Sequence, residues 1–475
     1  MLLTQPKPAR MPPAVLLGLP AAALGVALSV QVSVLSWLLA TRYGLAIDQI
    51  GMVWAAGPIA GIIGQVLVGT WSDRVWWLGG RRRPFLLVSV SASAAALLAL
   101  PHLDMIASAL GVAGVIGVAI GVTLLLDLAV NIGLNPARAI IADLTAEGRE
   151  RSIGFVWMQT LSGGFSVAAY AFGAWAGNLA LVMIAPPLIL ALGVIPTLLL
   201  REQRGAPGAR GLTFDARLVI ACAAPLGPMA ALVALLLILH GLGIKAPIAA
   251  LMAFTGLAVL LAAVPTLGAR GDDQRIVMRK VVMAHSFSWL GAYCLFIFLT
   301  PFLQQRMPAL GADELGRVAA LGLLSFNAVG ALAPLVLLGP ATRRFRRAHV
   351  HAAALLLMAL SFAAIGLFVA SPPALWLWLA IAGVGWGAMV SLPYAILSDR
   401  ADARQLGLLL GVFNLAIVVP QLVASLGLGA LAPMLADRGT IFLIGAASFA
   451  ASALAWLFLP PLPSAPDQKF TATRP

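Results

Sequence analysis

The chain has 475 residues, of which 61% are hydrophobic and 10% are charged, and its mean hydropathy is +1.00. This composition excludes an ordinary soluble domain, because repeated apolar runs of about 20 residues are typical of membrane-spanning helices. The net charge of +13 could indicate a nucleic-acid partner, but the basic residues lie in short loops between apolar runs. We therefore attribute them to membrane topology and expect a lipid bilayer, not nucleic acid, around this chain.

Fourteen apolar segments follow one another along the chain, and short connections join them. Their ranges are 13–40, 48–70, 84–102, 112–143, 153–176, 180–200, 216–240, 246–268, 280–304, 316–340, 349–370, 374–398, 405–432 and 439–460. Such a series predicts an all-α membrane protein with 14 transmembrane helices. Residues 1–12 and 461–475 are polar tails at the two ends.

Positive charge alternates from loop to loop. One set of alternate loops carries 19 Lys and Arg residues, and the loops between them carry only 4. The basic set comprises loops 71–83, 144–152, 201–213, 269–280, 341–348 and 400–404. Because cytoplasmic loops are enriched in Lys and Arg, we expect this set and both tails to be cytoplasmic. The pattern predicts a multi-pass protein of the inner (cytoplasmic) membrane.

Two stretches of the chain resemble each other. ARAIIADLTAEGRERSIGF and PYAILSDRADARQLGLLLG both pass from an apolar helix through Asp and a polar loop with Arg into a Gly-containing apolar helix. Two similar six-helix halves that share a site near the membrane midplane are a common transporter plan. We therefore expect an N-terminal half at 13–200 and a C-terminal half at 280–460. The central region 201–279 then holds two extra helices, which are nearly free of polar residues and have a structural role.

Four polar residues interrupt the fourth apolar segment. Asp127, Asn131, Asn135 and Arg138 are spaced by four, four and three residues, which puts them on one helix face. A charge in hydrocarbon costs several kcal/mol, so this face should line a water-filled cavity or the bundle interior. Asp127 lies near the middle of the predicted helix and hence near the midplane. A structural acid that is permanently paired with an arginine is the alternative interpretation.

Several stretches resemble one transporter family. SDRVWWLGGRRRPF joins the second and third segments, and DLAVNIGLNPARAIIADL forms the fourth. Together with SVQVSVLSW, VWAAGPIAGIIGQVLVG, GVGWGAMVSLPYAIL and LLLGVFNLAIVVPQLVASL, they resemble the sucrose–proton symporters and other glycoside–pentoside–hexuronide symporters of the major facilitator superfamily. The resemblance implies two six-helix halves and a proton-coupled sugar transporter. It also implies that Asp127 is the protonation and sugar-binding carboxylate, and that Arg138 and Gln31 take part in transport.

These roles fit the chemistry of the side chains. A carboxyl group that gains a proton on one side of a membrane and loses it on the other can couple proton and solute movement, and it can accept two sugar hydroxyls. Arg138 lies about 16 Å further along the helix, too far to pair directly with Asp127. Asn131 and Asn135 offer donors and acceptors to hydroxyl groups, or they bond neighbouring helices.

Two further sets of candidates follow. Trp289 could stack on the apolar face of a sugar, although an aromatic residue in a membrane helix is also common in packing or as an interfacial anchor. Charged residues at the cytoplasmic helix ends could form a gate, or they could serve topology alone. The gate candidates are Asp73, Arg74, Arg81, Arg82, Arg83, Asp143, Arg151, Asp399 and Arg400.

The sequence therefore favours a secondary active transporter, which imports a glycoside or disaccharide with protons, and not an enzyme. No metal-ligand spacing or nucleotide-binding loop is recognisable in the sequence, so we expect no cofactor other than the coupling proton, and we expect a monomer. A facilitator or exporter of an amphipathic solute is one alternative. A transporter-like fold that serves membrane assembly or pigment delivery is another.

Overall fold

The computed structural model describes residues 14–71, 76–145, 149–202, 216–242, 244, 247–268, 274–398 and 406–460. Regular structure in these ranges is helical, apart from an isolated bridge between Trp77 and Gly80. The α-helices are α1 (Ala14–Thr41), α2 (Ile47–Trp54), α3 (Ala56–Trp71), α4 (Arg83–Ala99), α5 (Leu103–Ala109), α6 (Ile116–Leu144), α7 (Arg149–Ala176), α8 (Asn178–Leu199), α9 (Ala216–Ala223), α10 (Gly227–Gly241), α11 (Ile248–Gly268), α12 (Gln274–Arg306), α13 (Ala312–Ala333), α14 (Gly339–Arg344), α15 (Arg347–Phe368), α16 (Pro372–Ser398), α17 (Leu406–Leu422), α18 (Gly429–Leu431) and α19 (Gly439–Leu457).

Twelve helical spans in the described part of the chain are long and apolar enough to cross a membrane. They are Ala14–Thr41, Ile47–Gly64, Arg83–Ala109, Ile116–Leu144, Asn178–Leu199, Arg217–Leu239, Arg275–Arg306, Ala312–Arg344, Arg347–Phe368, Pro372–Leu397, Leu409–Met434 and Gly439–Leu457. The predicted all-α membrane architecture is thus confirmed. The helices α7 and α11 coincide with the other two predicted segments but are not among the twelve spans, so a count of fourteen crossings stays a prediction.

The long helices form because apolar residues cover them all round and the backbone must satisfy its own hydrogen bonds in lipid. Proline is tolerated inside them, as at Pro136 of α6 and Pro301 of α12, since neighbouring helices support the altered backbone. Two π-helical turns, Pro334–Leu338 and Val423–Leu428, follow α13 and α17. Such turns are rare and are often found at functional sites.

The helices pack in two groups. In the first group α1 packs on α7 and α8, α4 packs on α6 and α8, and α3 packs on α6. In the second group α12 packs on α17 and α19, α13 packs on α16, and α15 packs on α16 and α19. Contacts of α7 with α13, of α1 with α12 and of α3 with α17 join the groups. The central helices α9, α10 and α11 lie against α12 or each other, on the side of the second group.

Candidate functional site

The two ends of the bundle are defined by the residues found there. We call the end where α1 finishes the Trp37 end, and the end where α4 begins the Arg82 end. The helix α6 runs from the first to the second, since Asp143 near its last turn lies 3.2 Å from the Arg82 guanidinium. The helix α12 runs the opposite way, because Ser36 contacts its later residues.

The polar stripe of α6, which comprises Asp127, Asn131, Asn135 and Arg138, becomes more accessible toward the Arg82 end. Asp127 is only 8% exposed, whereas the two asparagines are half-buried and Arg138 is exposed. Tyr394 of the second group lies within electrostatic range of Arg138. The stripe therefore faces the other helix group and can be reached from the Arg82 end.

The Asp127 carboxylate is held from two neighbouring helices. Gln31 of α1, itself 2% exposed, donates from Nε2 to Asp127 Oδ2 at 2.9 Å. The α3 backbone also comes so close at Gly57 that an added Cβ would lie 3.0 Å from the same oxygen. The resemblance linked Gln31 with Asp127 only as members of one family pattern, and the structure brings them into direct contact.

Asn131 of the polar stripe bonds to its own helix and lies close to α3. Asn131 Nδ2 donates to the Asp127 backbone carbonyl at 2.8 Å, which leaves its Oδ1 to accept from another donor. The α3 backbone also approaches this residue, since a Cβ on Gly64 would lie 3.0 Å from that of Asn131. A glycine-containing face of α3 thus supports the buried end of the stripe, and sequence reasoning did not assign this role to the glycines.

A second stripe lies on α12 and is aromatic. His285, Trp289, Tyr293 and Phe296 are spaced by four, four and three residues, so they share one face. Trp289 is half-buried and the other three are buried. Tyr293 lies within electrostatic range of Asp127. The predicted candidate Trp289 therefore belongs to a row of rings whose middle comes near the Asp127 carboxylate.

The two helix groups are bonded together at the Trp37 end. The Ser36 hydroxyl lies 3.0 Å from the Ile297 carbonyl of α12 and accepts from Trp54 Nε1 at 2.8 Å. Trp37 Nε1 donates to the Ala312 carbonyl at 2.7 Å. Trp54 also meets Tyr293 edge-on, with ring centroids 5.9 Å apart. Sequence reasoning did not single out Ser36 or Trp54.

At the Arg82 end, several of the gate candidates contact one another. Arg81 and Arg82 lie 3.6 and 3.2 Å from the Asp143 carboxylate. Arg83 Nη2 donates to the Leu198 carbonyl at 3.0 Å. Arg151 donates to backbone carbonyls at the end of α6. The other gate candidates, Asp73, Arg74, Asp399 and Arg400, lie outside the described residues.

Glu202 is a further contributor at this end that sequence reasoning missed. Its carboxylate accepts from the backbone N–H groups of Arg81, Arg82 and Arg83 at 2.8 to 3.1 Å. It thus caps the N-terminus of α4, where an anion is favoured by unpaired N–H groups and the helix dipole. The available sequence signal for this contact was the position of Glu202 directly after Arg201, just beyond the end of α8.

Comparison with solved structures shows which known folds this chain resembles. The fold matches the nucleoside transporter NupG with a TM-score of 0.62, at 14% identity, over 94% of this chain and 98% of that one. It matches the POT family transporter PepTSo with a TM-score of 0.64, also at 14% identity, over 95% and 98% of the two chains. The chain thus has a fold found in membrane transporters.

Comparison with curated sequences shows that the chain is similar to sucrose transport proteins. The chain is 26% identical to sucrose transport protein SUC4 of Arabidopsis thaliana over 80% of this chain and 76% of the relative. It is 25% identical to sucrose transport protein SUT1 of Oryza sativa subsp. japonica over 87% and 81% of the two chains. No family model matches the chain. The predicted resemblance to sucrose transport proteins, which are transporters and not enzymes, is confirmed.

Proposed function

We propose that this chain is a secondary active transporter of major facilitator type that imports a glycoside or disaccharide together with protons. The observation that carries the proposal is the buried Asp127 carboxylate, bonded to Gln31 at the closed end of a polar stripe. An ionisable group at that depth is costly unless it has a function. The sequence likeness to sucrose transport proteins supports a sugar as the solute.

In the proposed mechanism the two helix groups rock as two halves, residues 13–200 and 280–460, about a site between them. The excess of Lys and Arg in one set of loops favours a cytoplasmic Arg82 end and cytoplasmic termini. The bonds of Ser36 and Trp37 at the other end, with the rising exposure of the polar stripe, then correspond to an inward-facing state. The protein would act as a monomer in the inner membrane, with the proton as coupling ion and no other cofactor.

Asp127 would alternate between two chemical states. When ionised, both carboxylate oxygens are acceptors, and Gln31 Nε2 already donates to one of them. When protonated, one oxygen becomes a donor, so the set of hydroxyl groups that the site can bind changes with the proton. Differential affinity of the two states for the solute is what thermodynamic coupling requires.

The rest of the stripe provides a polar route toward the Arg82 end. Asn131 and Asn135 can exchange hydrogen bonds with hydroxyl groups, and Arg138 lies at the exposed end. In this proposal the Arg82–Asp143 pair, with Arg81, Arg83 and Arg151, belongs to the cytoplasmic gate. Asp73, Arg74, Asp399 and Arg400 are assigned to the same gate from the sequence pattern alone.

Uptake into proteoliposomes tests the proposal. Purified protein would be reconstituted with an inward acid gradient and offered labelled sucrose, methyl glucoside, a nucleoside and a dipeptide, with protein-free liposomes as the control. We expect gradient-dependent uptake of at least one sugar and of neither other solute. Uptake of the nucleoside or the dipeptide without any sugar would contradict the proposal. Uptake of none of these solutes would favour the facilitator, exporter or assembly alternatives.

A further inference from the structure

The interior of the second helix group contains a row of hydrogen bonds between α19 and α12. Ser448, Ser452 and Trp456 follow one another at intervals of four residues on α19, so they share one face. Ser448 Oγ donates to the Phe287 carbonyl at 2.9 Å, and Ser452 Oγ donates to the Ala284 carbonyl at 2.6 Å. Trp456, the next residue on this face, is fully buried, but its Nε1 atom has no hydrogen-bond partner among the described residues.

His351 of α15 lies beside Trp456. The two rings meet edge-on, with centroids 4.8 Å apart and planes at 89°. The imidazole is fully buried, and neither its Nδ1 nor its Nε2 atom has a hydrogen-bond partner in the part of the chain that the structure describes. An edge-on contact can satisfy one N–H group weakly through the face of the other ring. At least two of the three ring nitrogens therefore still lack a partner.

His285 of α12 adds a third ring to this set. It is fully buried and lies within electrostatic range of His351. Its Nε2 atom accepts from Trp289 Nε1 at 2.8 Å, so the proton of the neutral ring is on Nδ1, which likewise has no partner within the described residues. Since α19 packs on both α12 and α15, the three rings bring four unpartnered nitrogens into the interior of one helix group.

These four nitrogens comprise more donors than acceptors. Trp456 Nε1 and His285 Nδ1 are N–H donors, and His351, which is neutral because an unpaired buried charge is costly, adds one donor and one acceptor. Three donors and a single acceptor cannot satisfy one another. A bound cation would need further acceptors, and a buried anion without a counter-charge is costly. Water is neutral, both accepts and donates, and commonly makes about three hydrogen bonds to such buried groups.

We infer that bound water lies in the interior of the second helix group, between α12, α15 and α19, and that His285, His351 and Trp456 hold it. The water accepts from the N–H groups and donates to the unprotonated nitrogen of His351. Because all three helices belong to one group, the site should persist whichever end of the bundle is open. The inference does not depend on the identity of the solute.

Hydroxyl-radical footprinting of the full chain in lipid nanodiscs tests this internal water site. Radiolysis generates radicals from bound as well as bulk water, so a buried side chain next to a bound water is oxidised. The matched residue is Trp54, which is 4% exposed and whose Nε1 atom donates to Ser36. We expect Trp456, at 0% exposure, to be oxidised severalfold faster than Trp54. Exposure alone predicts the reverse order.

Substitutions of His351 test its part in the site. His351→Leu removes both ring nitrogens, whereas His351→Gln retains a donor and an acceptor. We expect Trp456 oxidation to fall severalfold in His351→Leu and to return toward the wild-type rate in His351→Gln. His349→Leu, the same change at an exposed position of α15, should leave the rate unchanged. Gel filtration identifies any variant that misfolds, and the wild-type comparison of Trp456 with Trp54 needs no substitution.

Two results would overturn the inference. Oxidation of Trp456 no faster than that of Trp54 would show that no water is bound beside it. An unchanged rate in a folded His351→Leu variant would show that His351 does not hold the water. Neither result bears on sugar uptake, which the proteoliposome panel measures separately.

Discussion

The polar stripe of α6 and the aromatic stripe of α12 repeat the same spacing with opposite chemistry. Each places four side chains at intervals of four, four and three residues, and the two helices run in opposite directions. Along α6 the exposure rises from the buried Asp127 to the exposed Arg138, whereas on α12 His285, Tyr293 and Phe296 are all buried. The side chains of the polar stripe therefore become more accessible to water along α6, whereas these three rings of the aromatic stripe are packed against other side chains.

This difference shows that spacing fixes which residues share a face but not what the face meets. A polar stripe in an apolar helix must find water or polar partners, so its surroundings can be anticipated. Aromatic rings can pack against one another without water or polar partners, as the edge-on contacts of Tyr293 with Trp54 and with Phe296 illustrate. A site between the stripes would offer hydrogen bonds from one side and ring faces from the other.

The largest effect should come from removing the donor that faces Asp127. Gln31→Leu leaves the buried carboxylate without its 2.9 Å partner, and a hydrogen bond to a charged group contributes about 1.5–3 kcal/mol. We expect the KM for the transported sugar to rise roughly tenfold to a hundredfold, measured by uptake into proteoliposomes. Gln305→Leu, the same change at the Trp37 end, should have no such effect. Equal behaviour of the two variants would show that the polar stripe does not bind the solute.

A smaller effect should follow from crowding the same carboxylate. In Gly57→Ala the new Cβ would lie 3.0 Å from Asp127 Oδ2, so the carboxylate must shift by a few tenths of an ångström. In Gly61→Ala the nearest atom is the Val418 Cγ2 at 3.5 Å, an ordinary contact. We expect the first variant to raise KM severalfold and the second to match wild type. If both variants lose activity equally, helix packing rather than the position of the carboxylate determines the effect.

The hydrogen bonds of Ser36 with α12 and with Trp54, at the Trp37 end, can be weakened without changing either stripe. Ser36→Ala removes the acceptor of Trp54 Nε1 and the hydroxyl that contacts α12, and an unpaired buried polar group costs about 1–3 kcal/mol. The open form of this end should gain population by roughly fivefold. Spin labels at Arg42→Cys and Glu314→Cys, both exposed, would report it as a second, longer distance.

The matched control for Ser36 is Ser286→Ala. Within the described part of the chain the Ser286 hydroxyl bonds only to its own helix, through the Val282 carbonyl at 2.7 Å, so the distance distribution should not change. An unaltered distribution in Ser36→Ala as well would mean that Ser36 does not hold the Trp37 end closed.

The smallest effect on transport should come from a side chain that bonds to the start of α4 and, among the described residues, to no member of either stripe. Glu202→Gln weakens the cap on the first turn of α4 because a neutral amide accepts less strongly than a carboxylate. We expect the apparent melting temperature in detergent to fall by a few degrees while KM stays at the wild-type value. A raised KM with unchanged melting temperature would instead assign the Arg82 end a part in solute recognition.

The sequence alone predicted the helices and the face that carries Asp127, because apolar length and a rare buried charge are local signals. It did not predict the interruption between α2 and α3 at Ala55, although Pro58 marks the break, because proline lacks the N–H that the Trp54 carbonyl would accept from. Ser36 was missed because most serines in such helices bond their own carbonyl four residues back, as Ser286 does. Gly57 and Glu202 were missed because their partners come close only through tertiary packing.

Internal pH in proteoliposomes, followed while the transported sugar is added outside, tests most directly whether Asp127 couples the proton to the sugar. Wild type and Asp127→Asn would be compared at equal protein density. We expect the sugar to acidify the lumen with wild type. With Asp127→Asn, labelled sugar should still exchange across the membrane, but the acidification should be lost, because an amide cannot take up and release the proton. Sugar-dependent acidification that persists in Asp127→Asn would contradict the assignment of Asp127 as the coupling residue.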